Sequence, residues 1–237
     1  MIAATRTSFG NRILDSLPHE EFVRLLPHLE LVVLEKGEIV YITGDDIQFA
    51  YFPINGLLSL VSTTETGSTI EVAMVSSEGA VGLPVILGKN NVPYEVTVQF
   101  PTSALKIRAK ALQEEFDRGQ KLQDFVLRYL NVLFAQISQS IICNRFHSLD
   151  ATLSRWLLTV QDRINSDHLD LTQETISNTL GVPRTAVTTA AGALQKAGII
   201  RYSRGKISIL DRAGLEKKSC ECYRIIRSEF AHFLKNS

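Results

Sequence analysis

The sequence predicts an α+β chain in three consecutive parts: an all-β barrel or sandwich, a long amphipathic helix, and a helix-turn-helix followed by a β-hairpin. Three observations carry this reading. Over residues 29–108, seven short runs rich in Val, Ile, Tyr and Phe alternate with turn signals. Over residues 121–144, apolar residues recur at spacings of three and four. Over residues 171–194, LTQETISNTLGVPRTAVTTAAGAL reads as a short helix, a glycine corner and a second helix.

Composition bounds the class. A chain of 237 residues makes one large or two medium domains, and 45% hydrophobic content excludes wholesale disorder. Net charge is zero, but it is unevenly distributed. Residues 1–149 hold 12 Lys and Arg against 16 Asp and Glu; residues 150–237 hold 13 against 9. The second part is therefore the candidate partner of a polyanion. No apolar run reaches the ~18 residues of a membrane span. The leading MIAATRTSFGNRILDSL has no apolar core of signal-peptide type, so the expectation is a cytoplasmic chain with no membrane partner. Cys143, Cys220 and Cys222 are too few and odd in number for a disulfide framework. Read as one helix, Cys220 and Cys222 point to different faces, so no metal site is expected and the thiols default to small buried hydrophobes.

In chain order, residues 8–28 hold two short amphipathic helices, with Phe22, Leu25 and Leu26 on one side of the second. The strand runs follow: LELVVL, IVYI, FAYF, LLSLVST, TIEVAMV, YEVTVQF and SALKIR. GLPVILGKNN interrupts them as a single helical turn. AKALQEEF is a short helix, and Gly119 precedes the long one. The stripe of the long helix includes Leu122, Val126, Tyr129, Leu130, Leu133, Phe134, Ile137 and Ile141. One reading is a helix buried against its own barrel; the stripe is broader than one contact face needs, which favours a helix pairing with its copy in a homodimer. Residues 146–165 form a further helix with Leu149, Leu153, Trp156, Leu157 and Val160 inward, and SDHLD is a linker.

In the helix-turn-helix, Ile176, Leu180, Val182, Val187 and Ala190 face inward, Ser177 sits where the helices touch, and Gly181 makes the corner. The second helix starts at Pro183, whose missing N–H costs nothing there. Its outer face offers Arg184, Thr185, Thr188 and Thr189, at a size that fits the major groove of double-stranded DNA. KAGII, RYSRGK and ISIL then make a basic hairpin wing, and DRAGLEKKSCECYRIIRSEFAHFL is a final helix with Leu215, Tyr223, Ile226, Phe230 and Phe233 on its apolar side.

Barrel, long helix and winged helix-turn-helix in this order, with LTQETISNTLGVPRTAVTTAAGALQKAGIIRYSRGKISI as the most specific stretch, resemble the Crp/Fnr family over residues 27–210. The resemblance implies a double-stranded β-helix (jelly-roll) barrel as sensor over residues 1–108. It implies connecting and dimerisation helices over 109–145, and a DNA-binding domain with an extra C-terminal helix over 146–237. It also implies a homodimeric transcription regulator that reads a palindromic operator and has RNA polymerase as a further possible partner. Within that frame Arg184 is the candidate base contact, and Thr185, Thr188 and Thr189 suit phosphates or thymine methyls. Thr172 and Gln173 suit a phosphate at a helix N-terminus, and Arg201, Arg204 and Lys206 suit the DNA backbone. Familiar members carry an acidic residue after the arginine and a second arginine one turn later. Here Thr185 and Thr189 stand in those places, so the expected operator is not the familiar one.

The family's nucleotide-binding segment corresponds to Gly82, Leu83 and Pro84, leading to Tyr94 and Glu95. Leu83 stands where a ribose-binding glutamate belongs and Tyr94 near the place of a phosphate-binding arginine. No arginine occurs over residues 25–107, which argues against cyclic AMP. No cysteine precedes Cys143, against an N-terminal iron–sulfur cluster, and no histidine lies in the barrel to hold haem. No cofactor is expected and the effector is unknown. No phosphate loop, Ser/His/Asp signature or HExxH motif is present, so an enzyme is not expected. The rival reading is a signal-binding module that regulates a partner protein through its winged helix.

Overall fold

The computed structural model describes residues 8–235; the leading residues of the signal-peptide reading, 1–7, lie outside them. Runs rich in β-branched and aromatic residues, punctuated by turn residues, build seven strands: β1 (Glu30–Leu34), β2 (Ile39–Tyr41), β3 (Phe49–Pro53), β4 (Leu57–Thr63), β5 (Thr69–Val75), β6 (Glu95–Phe100) and β7 (Thr102–Arg108). They form two antiparallel sheets, ordered β1-β7-β3 and β2-β6-β4-β5, with pairs such as Phe52↔Leu105 and Leu60↔Val96. The sheets close on a core that includes Phe52, Leu58, Val75, Val96 and Ile107. This is the expected jelly-roll barrel. The GLPVILG segment forms the 3-10 turn Leu83–Leu87, bounded by Gly82 and Gly88, both at positive φ.

Two helices precede the barrel, α1 (Arg12–Asp15) and α2 (His19–Leu25). Leu26 does not join the apolar side of α2; the chain tightens into a 3-10 turn at Leu26–His28 and leaves Leu26 exposed. Glu21 has a long-range role. Its buried carboxylate accepts the N–H groups of Lys121 and Leu122 at 3.1 and 2.9 Å. It thereby caps the first turn of a helix 100 residues downstream that has no side-chain cap of its own.

After α3 (Ala109–Phe116), the long helix α4 runs over Lys121–Phe146. It is long and apolar enough on average to cross a membrane, although no single run of apolar residues is that long. Its stripe divides three ways, and this corrects the assignment of the whole stripe to a dimer. Leu122, Val126 and Tyr129 are fully buried within their own subunit. Tyr129 fits against Gly79 of the barrel, where any Cβ would clash. Leu130, Leu133 and Ile137 are half-buried at the barrel edge. Phe134 and Ile141 point outward, 68% and 65% exposed, together with Leu127 at 47%.

α5 (Leu149–Ile164) begins three residues later than Phe146; the long helix continues through Phe146 and Ser148 then caps α5. α5 joins the parts. Trp156 donates its indole N–H to Glu71 of β5 at 2.8 Å, and Ser59 donates to the other carboxylate oxygen. Arg163 binds Glu78 at 2.8 Å and Gln136 of α4 at 2.6 Å, both partners buried. Leu57, Met74 and Phe100 of the barrel share a core with Leu153, Trp156 and Ile176 of the C-terminal part.

The C-terminal part holds β8 (His168–Asp170), α6 (Gln173–Leu180), α7 (Arg184–Lys196), β9 (Ile200–Ser203), β10 (Lys206–Ile209), α8 (Arg212–Lys218) and α9 (Glu221–Lys235). Two expectations change here. SDHLD is not only a linker, because His168–Asp170 pairs with β10 and adds a third strand to the wing. The last helix is two helices. The chain turns extended at Ser219, and α9 packs back along α4, with Phe233 against Tyr129.

Candidate nucleic-acid interface

The helix-turn-helix follows from local chemistry. Thr172 caps α6, its hydroxyl accepting the N–H of Thr175 at 3.0 Å. Gly181 ends α6 at φ 65°, and its N–H returns to the Ser177 carbonyl. The Ser177 hydroxyl donates to the Val182 carbonyl at 2.5 Å, so the small residue at the crossing also ties the turn. Ile176, Leu180, Val187 and Ala190 are buried between the helices, while Val182 is half-buried. Pro183 sits just before Arg184 with φ −59°.

The face left over is polar and open. Arg184, Thr185, Thr188 and Thr189 are all exposed along α7. The Thr188 and Thr189 hydroxyls donate to the carbonyls one turn back, Arg184 at 2.9 Å and Thr185 at 3.1 Å. Their donor hydrogens are thus engaged within the helix, and their methyl groups remain for contact. Arg184 stands 4.0 Å from Glu174, with both side chains mostly exposed. Such a pair is worth at most about 1 kcal/mol and leaves the guanidinium free to move.

The wing comes alongside. β9 and β10 are joined by the two-residue turn Arg204-Gly205, both at positive φ, with Ser203 paired to Lys206. This turn brings Arg204 to the N-terminal end of both helices. Thr172, Gln173, Arg184, Tyr202, Ser203, Arg204 and Gly205 line one open cleft of about 390 Å³. Burial pushes the Tyr202 phenol above its ordinary pKa, and the nearby Arg184 charge opposes the rise. Lys206 is exposed 4.0 Å from Asp170. Arg201 is exposed on β9 opposite Ser208 but does not line the cleft. Tyr202 and Ser203 also line the cleft, and their place beside a basic hairpin tip is the one sequence signal for them.

A second cavity, about 440 Å³ and mostly apolar, lies between the barrel and α4. Leu83, Pro84 and Tyr94 of the candidate effector segment line it. Gly82 and Glu95 do not. Gly82 turns its backbone toward Tyr41 and Phe49, and Glu95 lies in the β4–β6 ladder opposite Val61. Leu130, Leu133, Phe134 and Ile137 of α4 close the cavity, and Lys89 is the charged residue in its wall.

Residues 152–218 match the family model of the Crp-like helix-turn-helix domain, and residues 31–118 match that of the cyclic nucleotide-binding domain. Among curated proteins, the chain is similar to the global nitrogen regulator of Synechococcus elongatus, 22% identical over 80% of this chain and 90% of that protein. It is also similar to the transcriptional regulator SdrP of Thermus thermophilus, 25% identical over 79% and 93% of the two chains. A solved structure of a putative Crp/Fnr-family regulator from Eubacterium rectale shares the fold, with a TM-score of 0.70 at 21% identity over 90% and 97% of the two chains. With the motif, the wing and the barrel in one chain, and with both family models matched in that order, the chain belongs to the Crp/Fnr family and is a transcriptional regulator with a helix-turn-helix DNA-binding domain.

Proposed function

We propose that the protein is a homodimeric, sequence-specific regulator, working in the cytoplasm as a binding protein rather than a catalyst. The reading rests chiefly on one observation: Arg184, the start of α6 and the wing tip border a single open cleft. Arg184 reads a guanine through O6 and N7, the methyl groups of Thr188 and Thr189 meet thymine methyls, and Thr185 lies at the same edge. The N-terminal N–H groups of α6 at Gln173, with Arg204 and Lys206, hold phosphates on either side.

The dimer forms along α4. Leu127, Phe134 and Ile141 recur every seven residues, with Leu130 and Ile137 three residues after the first two, which is a coiled-coil seam. Two recognition helices on such a dimer lie about one DNA turn apart, ~34 Å, so the operator is an imperfect palindrome. Leu130, Phe134 and Ile137 belong both to this seam and to the wall of the barrel cavity. An occupant of the cavity therefore bears directly on the seam, and the two arrangements of the seam are the two states of the switch. The cavity wall is apolar with one lysine, and no arginine lies over residues 25–107. That chemistry suits an apolar effector carrying at most one anionic group, not cyclic AMP.

Selection from random duplexes tests the reading. Enrichment of a palindromic sequence, lost in Arg184→Ala, is the expected result. No enriched sequence, and binding unchanged by Arg184→Ala, would refute it.

A further inference from the structure

The break between α8 and α9 has a chemical consequence. Had residues 212–235 formed one helix, Cys220 and Cys222 would point about 200° apart. Instead α8 ends at Lys218, Ser219 is extended, and Cys220 precedes the first residue of α9. Both thiols then turn toward the same point. That point is the end of α4, where Cys143 lies in the last turn and His147, four residues on, leaves the helix extended at φ −103° and ψ 152°.

The four side chains converge. Cys143 Sγ lies 3.5 Å from Cys220 Sγ, and Cys222 Sγ lies 3.6 Å from His147 Nδ1. The three sulfurs and one imidazole nitrogen all lie within 4.8 Å of one another. Zn–S bonds of about 2.3 Å and Zn–N bonds of about 2.0 Å in a tetrahedron place sulfurs about 3.8 Å apart, and sulfur and nitrogen about 3.5 Å apart. The observed spread needs only small side-chain adjustments to meet these spacings.

The surroundings suit a metal better than three packed thiols. The other ring nitrogen of His147, Nε2, lies 3.2 Å from Glu221 Oε1. A carboxylate on the far nitrogen is the arrangement that fixes the tautomer and aims a ligating imidazole. Three thiolates and a neutral imidazole around Zn²⁺ carry a net charge of −1. The N-terminus of the 15-residue α9 stands at this point and favours negative charge. The buried Arg155 guanidinium, which also acts on the carboxyl of Glu71, adds positive potential at Cys143 and Cys222. Cysteines packed simply as small hydrophobes do not require the aimed imidazole.

We propose that Cys143, His147, Cys220 and Cys222 form a closed, structural zinc site that fastens the end of α4 to the start of α9. All four positions are filled by protein, so the site orients rather than catalyses. Binding of Zn²⁺ displaces three thiol protons to solvent, and no electron is transferred. The site lies at the corner where the sensor's long helix passes into the DNA-binding part. It holds α9 along α4 on the side away from the Leu127–Phe134–Ile141 stripe, leaving that stripe free.

The test uses the full chain expressed in zinc-supplemented medium. Elemental analysis after extensive dialysis is expected to find about one zinc per chain, with one equivalent released when an organomercurial titrates the thiols. Replacement by Co²⁺ should give the intense d–d and thiolate charge-transfer bands of a tetrahedral thiolate site. Cys222→Ser should lose them while circular dichroism remains helical. Glu221→Gln leaves every ligand in place and is expected to weaken zinc affinity about 10–100-fold in competition with a chromophoric chelator. Wild-type protein without stoichiometric zinc and with an octahedral cobalt spectrum would overturn the proposal. So would iron with labile sulfide in its place, a Cys143–Cys220 disulfide in the native protein, or a Glu221→Gln variant of unchanged affinity.

Discussion

Replacing Phe134 by alanine separates the seam from the fold of the subunit. Phe134 is 68% exposed in the single chain. A phenylalanine offers roughly 200 Å² of surface, so about 140 Å² is left for a partner to cover. At about 25 cal/mol per Å² this is worth about 3.5 kcal/mol, of which truncation to alanine removes about 2–3. In the proposed two-fold seam each substitution counts twice, and the dimer is expected to lose about 4–6 kcal/mol. At 1.4 kcal/mol per tenfold, its dissociation constant rises roughly 10³–10⁴-fold. Sedimentation equilibrium over a concentration series measures this directly. The subunit itself is expected to stay folded by circular dichroism. Tyr129→Ala, at a fully buried position of the same helix, should instead lower thermal stability. A Phe134→Ala protein that dimerises as tightly as the wild type would refute the seam.

Further outcomes follow from particular contacts. Arg204→Ala at the wing tip should weaken binding to all DNA sequences alike and reduce the log–log salt slope by about 0.9, read by titration at several salt concentrations. Glu71 is buried, and its burial raises the carboxyl's pKa despite hydrogen bonds from Ser59 and Trp156 and the charges of Arg155 and Arg163. A pKa raised in the folded state contributes stability that is complete below the unfolded value, about 4.3, and is lost as pH rises through the folded value. Glu71→Gln keeps an acceptor for the Trp156 N–H and cannot ionise. Urea unfolding should find it more stable than wild type at pH 7, with the difference vanishing near pH 4. Glu21→Ala removes the cap of α4 and should cost about 1–2 kcal/mol in the same assay, without altering the DNA sequence bound.

The elements that local patterning dictates were legible in the sequence. The seven strand runs each become a strand because β-branched and aromatic residues suit a pleated, half-buried surface and turn residues bound each run. The helix-turn-helix was legible because Gly181 and Pro183 punctuate it chemically, at positions where other residues are strained or lack a use. Partnership was less legible. Periodicity groups the α4 stripe as one face, yet Leu122, Val126 and Tyr129 cover their own subunit, while Leu127, spaced seven from Phe134, stays exposed. Periodicity records that a residue is apolar and which way it faces along its own helix; it does not record what lies opposite.

What the sequence by itself determined, then, is the order of the parts and the composition of the exposed face of α7, since both depend on residues adjacent in the chain. Tertiary structure alone decided which side of α4 stays open, how Lys89 and Phe134 come to border one cavity, and where α9 lies. It also decided that Cys143 and His147 meet Cys220 and Cys222 across some 75 residues. A spacing of two between cysteines has no fixed meaning until the backbone between them is known. The extended turn at Ser219, set by the return of α9 along α4, gives it one.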